Sequence, residues 1–523
     1  MRSKKVLINS IFGVGGYAIL MLSNFITRAV FVSELGLSMG GVDTTFKNFL
    51  QVLSLAELGL STGLLYKLYK PIEEKDNAAI KRVLNFYKQA YKVIAAVFMG
   101  GALILSFAVN FVIKDTDKPK WYIALLFILY AADTVASYLY ANRKALIVAD
   151  QNNYVVNRND AFVSLITLVS QVTLLKITHS FIIYAVVKII CRLIGAVSIG
   201  HQFKKRYPEI AADKSKDTIT GEERKSLTQN MGAMLCHRVG GVSVTATGSA
   251  IITYFIGTAT AGVYGNYTLI TNALNQLVTQ VFNGITASFG NIITVETKET
   301  IYNRFKLLYF FNYLIFSFFT VSFGVLAQPF MRLWMHDEEG SLFPTVTLIL
   351  LVVYFYVYGM RRVVLMAKDS AGIYRQDCGF AILEAVINIT LSVFLAWKFK
   401  SINGVIAANV LSMLIIPMWT QPYLVYKHVL KHKLSSYYLT YILYASLTAV
   451  YFAATWFLAE KATAFTDNLF IELIIRAVLC VAIPNLLNLV VFIRTQEMKD
   501  LITLLLGVLK RKVPGNKGGK ENA

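Results

Sequence analysis

Apolar stretches of about 20 residues recur from one end of this chain to the other, each long enough to cross a hydrocarbon core of roughly 30 Å. Fourteen can be placed in the 523 residues, near 6–33, 43–66, 89–112, 121–142, 159–176, 180–203, 232–256, 264–290, 306–328, 344–365, 377–397, 402–426, 438–459 and 469–493. A backbone in lipid must satisfy its own hydrogen bonds, so each stretch is expected to be a helix. The fold class that follows is all-α integral membrane, with about fourteen transmembrane helices. Composition agrees: 15% of residues are charged, against about 25% in soluble domains. No segment outside the spans is long enough for a catalytic domain, so an enzyme is not expected.

The net charge is +21, from 51 Lys and Arg against 30 Asp and Glu. In a soluble chain such a balance suggests nucleic acid. Here the cations cluster in alternate connecting segments, as the positive-inside rule requires, which excludes nucleic acid and places both termini in the cytoplasm. Arg2, Lys4 and Lys5 precede a long apolar run with no small-residue cleavage site, so the first helix is expected to stay as an anchor. Residues 74–92 and 497–512 combine basic and apolar side chains and read as amphipathic helices on the membrane surface. The tail after Pro514 is Gly- and Lys-rich.

Cys191, Cys236, Cys378 and Cys480 all fall in apolar stretches without metal-like spacing and read as reduced core residues. His428 and His432 lie in a basic juxtamembrane cluster, and no metal is expected. No phosphate-binding glycine loop occurs, so no cofactor is expected. Asn266-Tyr-Thr and Asn388-Ile-Thr match the glycosylation pattern inside spans, where it carries no weight.

An internal repeat appears at a constant offset of 221 residues. Asn9 then meets Asn230, Gly36 meets Gly257, Gly41-Val42 meets Gly262-Val263, and Gly63 meets Gly284. The aligned spans run in the same direction, so the repeat is parallel. Parallel repeats imply two pseudo-symmetric six-helix lobes related by an axis along the membrane normal. The expected layout is an N-lobe over 1–203, a cytoplasmic linker over 204–231 and a C-lobe over 232–428. Two more helices follow in 429–494, then the amphipathic helix and basic tail over 495–523.

Polar residues stripe several spans. Span two carries Asp43, Lys47, Gln51, Ser54, Glu57 and Ser61 at steps of three and four; span eight carries Asn272, Asn275, Thr279, Asn283 and Thr286 likewise. Span one adds Asn24, Thr27 and Arg28, and span seven adds Arg238. Helical spacing puts each set on one face, and these faces should line a hydrated cavity. Tight packing through small residues accounts for Gly, Ser and Thr but not for the ions. Ionised groups at mid-membrane usually pair or face water. Lys188 could pair with Asp133, while Arg28, Lys47 and Arg476 could reach outward to the interface. With Lys188, Arg192 and Arg238 the interior is cationic, which suits an anionic substrate, because guanidinium grips phosphate by two parallel bonds.

The stretch LSLAELGLSTGLLYKLYKPIEEKD (53–76), YKQAY (87–91), the turn ELGLSMGGV and YLYANRKALIVADQNNYV (138–155) resemble the polysaccharide (Wzx-type) flippases. That family belongs to the multidrug/oligosaccharidyl-lipid/polysaccharide (MOP) exporter superfamily. The resemblance implies fourteen helices, two lobes and alternating access. It implies an undecaprenyl-diphosphate-linked oligosaccharide moved from the inner to the outer leaflet of the bacterial cytoplasmic membrane for surface polysaccharide biosynthesis. The related lipid II flippases use arginines in helices one, two and eight around a central cavity. Arg28 suits the first and Lys47 the second; span eight has no arginine, and Arg238 lies in span seven.

The expected site is therefore a diphosphate and glycan cavity of Arg28, Lys47, Arg192, Arg238, Gln51, Asn24, Asn272, Asn275 and Asn283. Glu57 and Asp133 are the candidates for H⁺ or Na⁺ coupling. The expected partners are the lipid-linked oligosaccharide, membrane lipids, a polysaccharide polymerase and the export machinery. Three rivals fit less well. A multidrug cation exporter of the same superfamily would prefer an acidic cavity. A membrane glycosyltransferase or polymerase would need a catalytic loop. A scaffold would have no use for intramembrane charge.

Overall fold

The computed structural model describes residues 2–57, 60–221, 246–336 and 340–511, with a few side chains inside those ranges left out. Among the described residues every regular element is a helix, and eleven helices are long and apolar enough to cross a membrane. Chain order begins with α1 (Arg2–Leu53), α2 (Leu60–Glu74), α3 (Asn77–Val112), α4 (Lys120–Tyr138) and α5 (Ala141–Ala149). Next come α6 (Asn153–Thr178), α7 (Phe181–Arg206), α8 (Pro208–Ala212), α9 (246–255) and α10 (Thr258–Val295). Then follow α11 (Lys298–Trp334), α12 (Thr345–Met360), α13 (Arg362–Ser370), α14 (Arg375–Phe399) and α15 (Ile402–Ile415). The last are α16 (Pro417–Val425), a π-turn at Tyr426–Leu430, α17 (Ser435–Thr463), α18 (Leu469–Phe492) and α19 (Gln496–Arg511).

Helix α1 contains the first expected span and the start of the second. A single residue separates its arms: Gly36, at φ 80° and ψ 166°. The space around it is open, but its positive φ is strained for any residue with a side chain, so glycine is what lets the helix kink. The repeat partner Gly257 also has positive φ, at 137°, between α9 and α10. The two positions aligned from sequence thus break their helices in the same way.

Two sequence expectations change. Span two is not one helix: the second arm of α1 ends at Leu53, and Ser54–Glu57 tightens into a 3₁₀ turn. The Ser54 hydroxyl bonds the carbonyl of Gln51 at 2.7 Å, a local bond that competes with helix continuation. The polar stripe therefore keeps one face only through Gln51. Residues 74–92 do not form a separate surface helix either; from Asn77 they are the first turns of α3, started by Asp76, which accepts from the Ala79 amide at 2.8 Å. Val83, Leu84, Tyr87 and Tyr91 are buried and continue in register into Phe98, Ala102 and Val109. The apolar face never breaks, so the helix does not. Helix α19 does form where amphipathic periodicity places it, leaving Ile502 and Leu504 exposed.

The chain divides into two compact units, interleaved in sequence. The first holds Met1–Ala273, Trp334–Thr347 and Tyr374–Pro417; the second holds Leu274–Leu333, Leu348–Ile373 and Met418–Ala523. An aromatic core ties α1, α4 and α7 together in the first unit. Phe31 meets Phe181 edge-on at 4.8 Å and Tyr184 at 4.9 Å, and Phe46 meets Phe127 at 5.3 Å. In the second unit α17 packs beside α18, and Tyr313 of α11 stacks on Tyr444 at 4.0 Å.

Candidate functional site

The first unit encloses a cavity of about 540 Å³. It begins at a close crossing of two helices. The second arm of α1 and the start of α10 meet at Gly41 and Gly262, repeat partners at the 221 offset. A Cβ on Gly41 would run into the carbonyl oxygen of Thr258, and one on Gly262 into that of Leu37. Leu37 and Thr258 are themselves repeat partners, so the contact is two-fold in kind. Small residues let backbones touch where lipid supplies no hydrophobic drive. Hydroxyl pairs flank the crossing: Ser38–Thr258 at 2.6 Å and Thr45–Thr253 at 2.7 Å.

Arg28 lies beneath this crossing, with its side chain 8% exposed. Its Nε donates to Asn266 Oδ1 at 2.6 Å. Nη1 donates to the Gly40 carbonyl at 3.0 Å and to Asp43 at 2.9 Å. Nη2 donates to Thr44 at 3.4 Å and to the Gly262 carbonyl at 3.0 Å. A guanidinium has five N–H donors, and all five are engaged. Arg28 thus clasps both arms of α1 to α10.

Asp43 is the hub beside it. Its Oδ2 also takes Lys47 Nζ at 2.8 Å, and its Oδ1 takes the Tyr130 hydroxyl at 2.5 Å. The Lys47 side chain is 54% exposed and lines the cavity. Across the wall, Asp133 binds Arg192 through two parallel bonds of 2.9 Å and Lys188 at 3.2 Å. Lys144 and Asp160 pair at 2.8 Å. The lining thus carries Arg28, Lys47, Lys144, Lys188 and Arg192, against Asp43 and Asp160, with Asp133 just behind. Cations outnumber carboxylates. Ser23 Oγ and Asn159 Oδ1 also line the cavity, are buried and make no hydrogen bond.

Of the residues expected from sequence, Arg28, Lys47, Arg192, Asn24 and Asn272 come together on this cavity. Gln51 is exposed and is not part of its lining. Glu57 sits in the 3₁₀ turn, where it accepts from the Tyr91 hydroxyl at 3.2 Å. Asp133 is held by two cations, including the expected Lys188 partner. Asn275 belongs to the second unit, where its Oδ1 is buried without a hydrogen bond. Arg238, Cys236 and the Asn283 side chain lie outside the described residues. Sequence reasoning missed Tyr130 and Asn266. Asn266 is polar, mid-span and one helical step from Gly262, a signal set aside along with the glycosylation pattern.

No family profile and no curated protein matches this chain in sequence. Solved structures do match in shape. The lipid II flippase MurJ, in an inward closed conformation, superposes with TM-score 0.61 at 15% identity, covering 95% of this chain and 100% of that one. A multidrug resistance MATE transporter in an inward-facing conformation gives 0.58 at 13%, covering 78% and 96%. A point mutant of the Vibrio cholerae MATE transporter VcmN gives 0.58 at 14%, covering 83% and 98%. The fold is that of these MurJ and MATE structures. It serves a lipid flippase and drug exporters alike, so the substrate must be argued from the cavity.

Proposed function

We propose that this chain is a flippase for a polyprenyl-diphosphate-linked oligosaccharide, working by alternating access between two lobes. The observation that carries the reading is the excess of cations in a polar cavity inside an otherwise apolar molecule. Lys47, Lys188 and Arg192 line it with partly exposed charges at 54%, 30% and 35%. A diphosphate would dock on these three in the present conformation, since Arg28 has no donor left. Asn24, Asn272, Ser23 and Asn159 supply hydrogen bonds suited to sugar hydroxyls. The polyprenyl tail would stay in lipid. A cation exporter would face like charge here, which disfavours that reading although the fold allows it.

The membrane in this reading is the bacterial cytoplasmic membrane, crossed fourteen times, with both termini inside. Glu57 remains the candidate for proton or Na⁺ coupling, because Asp133 is neutralised by two cations.

The test is binding by purified protein in nanodiscs of a polyprenyl-diphosphate glycan, against the same glycan without the diphosphate. Each charge-assisted bond is worth about 1.5–3 kcal/mol, so the diphosphate form should bind about ten- to a hundred-fold more tightly. Equal affinity for the two refutes the proposal.

A further inference from the structure

The second unit holds a cavity of its own, about 510 Å³, between the start of α11 and the amphipathic helix α19. Thr300, Asn303 and Arg304 line it from one face of α11, and Asp500 and Thr503 from one face of α19. Leu307 and Leu504, a turn further along each helix, give it an apolar edge. Neighbouring contacts fix its walls. Lys306 of α11 pairs with Glu497 of α19 at 2.8 Å. His432 stacks on Tyr302 at 3.8 Å and pairs with Glu299 at 3.3 Å. Met498 and Leu501 of α19 are buried.

With those neighbours paired, two charges of opposite sign are left to the cavity. Arg304 makes no hydrogen bond or ion pair among the described residues. Asp500 accepts from the neutral Gln496 side chain at 2.7 Å and joins no ion pair among the described residues. A guanidinium grips phosphate by two parallel bonds, and a carboxylate accepts from an ammonium. A purely anionic ligand would meet the carboxylate, and a purely cationic one the guanidinium. The cavity therefore suits a zwitterion that carries both a phosphate and a primary ammonium.

The position of the cavity says where such a ligand comes from. Ile502, Leu504 and Leu506 of α19 are exposed apolar side chains. A helix of this kind lies in the membrane interface, with its apolar side chains against the acyl boundary. Leu504 belongs to both sets: it lines the cavity and it is exposed. The polar pocket is thus continuous with the lipid-facing side of α19.

We propose that this cavity binds the headgroup of phosphatidylethanolamine. The phosphate sits on Arg304, with Asn303 and the threonine hydroxyls beside it, and the ammonium sits on Asp500. The acyl chains leave past Leu307 and Leu504. Phosphatidylglycerol offers Asp500 no ammonium and adds a net negative charge. The trimethylammonium of phosphatidylcholine has no N–H to donate. The inference does not depend on what the first unit binds.

The experiment is native mass spectrometry of the full chain in detergent, titrated with phosphatidylethanolamine, phosphatidylglycerol and phosphatidylcholine of matched chains. The first bound lipid is read. Phosphatidylethanolamine should bind about tenfold more tightly than either rival, the worth of one charge-assisted bond in an open groove. Arg304→Gln should weaken it by about tenfold. Asp500→Asn should bring phosphatidylethanolamine and phosphatidylglycerol to equal affinity, a change of ratio that loss of fold would not produce. Glycerophosphoethanolamine, which has no acyl chains, should bind more weakly than the lipid. Phosphatidylethanolamine no tighter than the other two lipids, or wild-type selectivity in both variants, overturns the proposal. Equal binding of the chainless compound overturns the lipid as its source.

Discussion

Gly262→Ala tests the helix crossing on which the cavity depends. The added Cβ would lie inside van der Waals contact of the Leu37 carbonyl oxygen and 3.0 Å from the Gly41 amide. Neither atom is the tip of a flexible side chain; both are backbone, so α1 and α10 must separate. Overpacking of this kind costs about 1–3 kcal/mol. Separation also stretches the 3.0 Å bond from Arg28 to the Gly262 carbonyl, a charge-assisted bond worth about 1.5–3 kcal/mol. The expected loss is about 2.5–6 kcal/mol together, and Gly41→Ala should lose a similar amount, because its Cβ meets Thr258 in the same way. Gly100 of α3 is the control: nothing lies within 4 Å of its Cβ position, so Gly100→Ala should stabilise by about 0.5–1 kcal/mol through helix propensity. Thermal unfolding of the purified proteins in detergent, followed by tryptophan fluorescence, ranks the three. Gly262→Ala as stable as Gly100→Ala would refute the close crossing. A large loss at one crossing glycine and none at its partner would refute its two-fold character.

Arg28→Ala and Lys47→Ala should part company. The first strands buried Asp43 and Asn266 and should cost about 3–5 kcal/mol of stability, whereas the second should leave the melting temperature nearly unchanged and weaken binding of diphosphate glycan. Equal loss of stability in both would remove the distinction between clasp and ligand. Glu497 of α19 should show a pH signature: burial raises its carboxyl, but the hydrogen bond from Lys306 at 2.8 Å, a backbone hydrogen bond and the charge of Lys306 together outweigh this and hold it below the usual range. A lowered carboxyl contributes stability above its unfolded value of about 4.3 and loses it as pH falls through the folded value. Glu497→Gln should therefore melt slightly below wild type at neutral pH, by less than about 1 kcal/mol for so exposed a pair, and converge with it in acid. A gap that persists in acid would mean the loss is not electrostatic. Topology can be read by cysteine labelling of sealed cells, where an impermeant reagent should reach positions 337–341 but not 214–217; labelling at 214–217 would overturn the fourteen-span orientation.

Apolar periodicity and the scarcity of charge were enough to determine a multi-pass helical membrane protein, because only helices with internally bonded backbones survive in lipid. The 221-residue repeat was also legible, since Gly36 and Gly257 occupy backbone positions that side chains rarely adopt. So was the cationic interior, because intramembrane lysine and arginine have few other uses. The division of labour among those cations belonged to the tertiary structure. Three of the five bonds that occupy Arg28 end on backbone carbonyls or a hydroxyl, groups that every sequence supplies and no pattern marks. Its Asn266 partner is 238 residues away. The halt of span two at Leu53 and the continuity of α3 past Tyr91 depended on bonds and burial that periodicity alone does not rank.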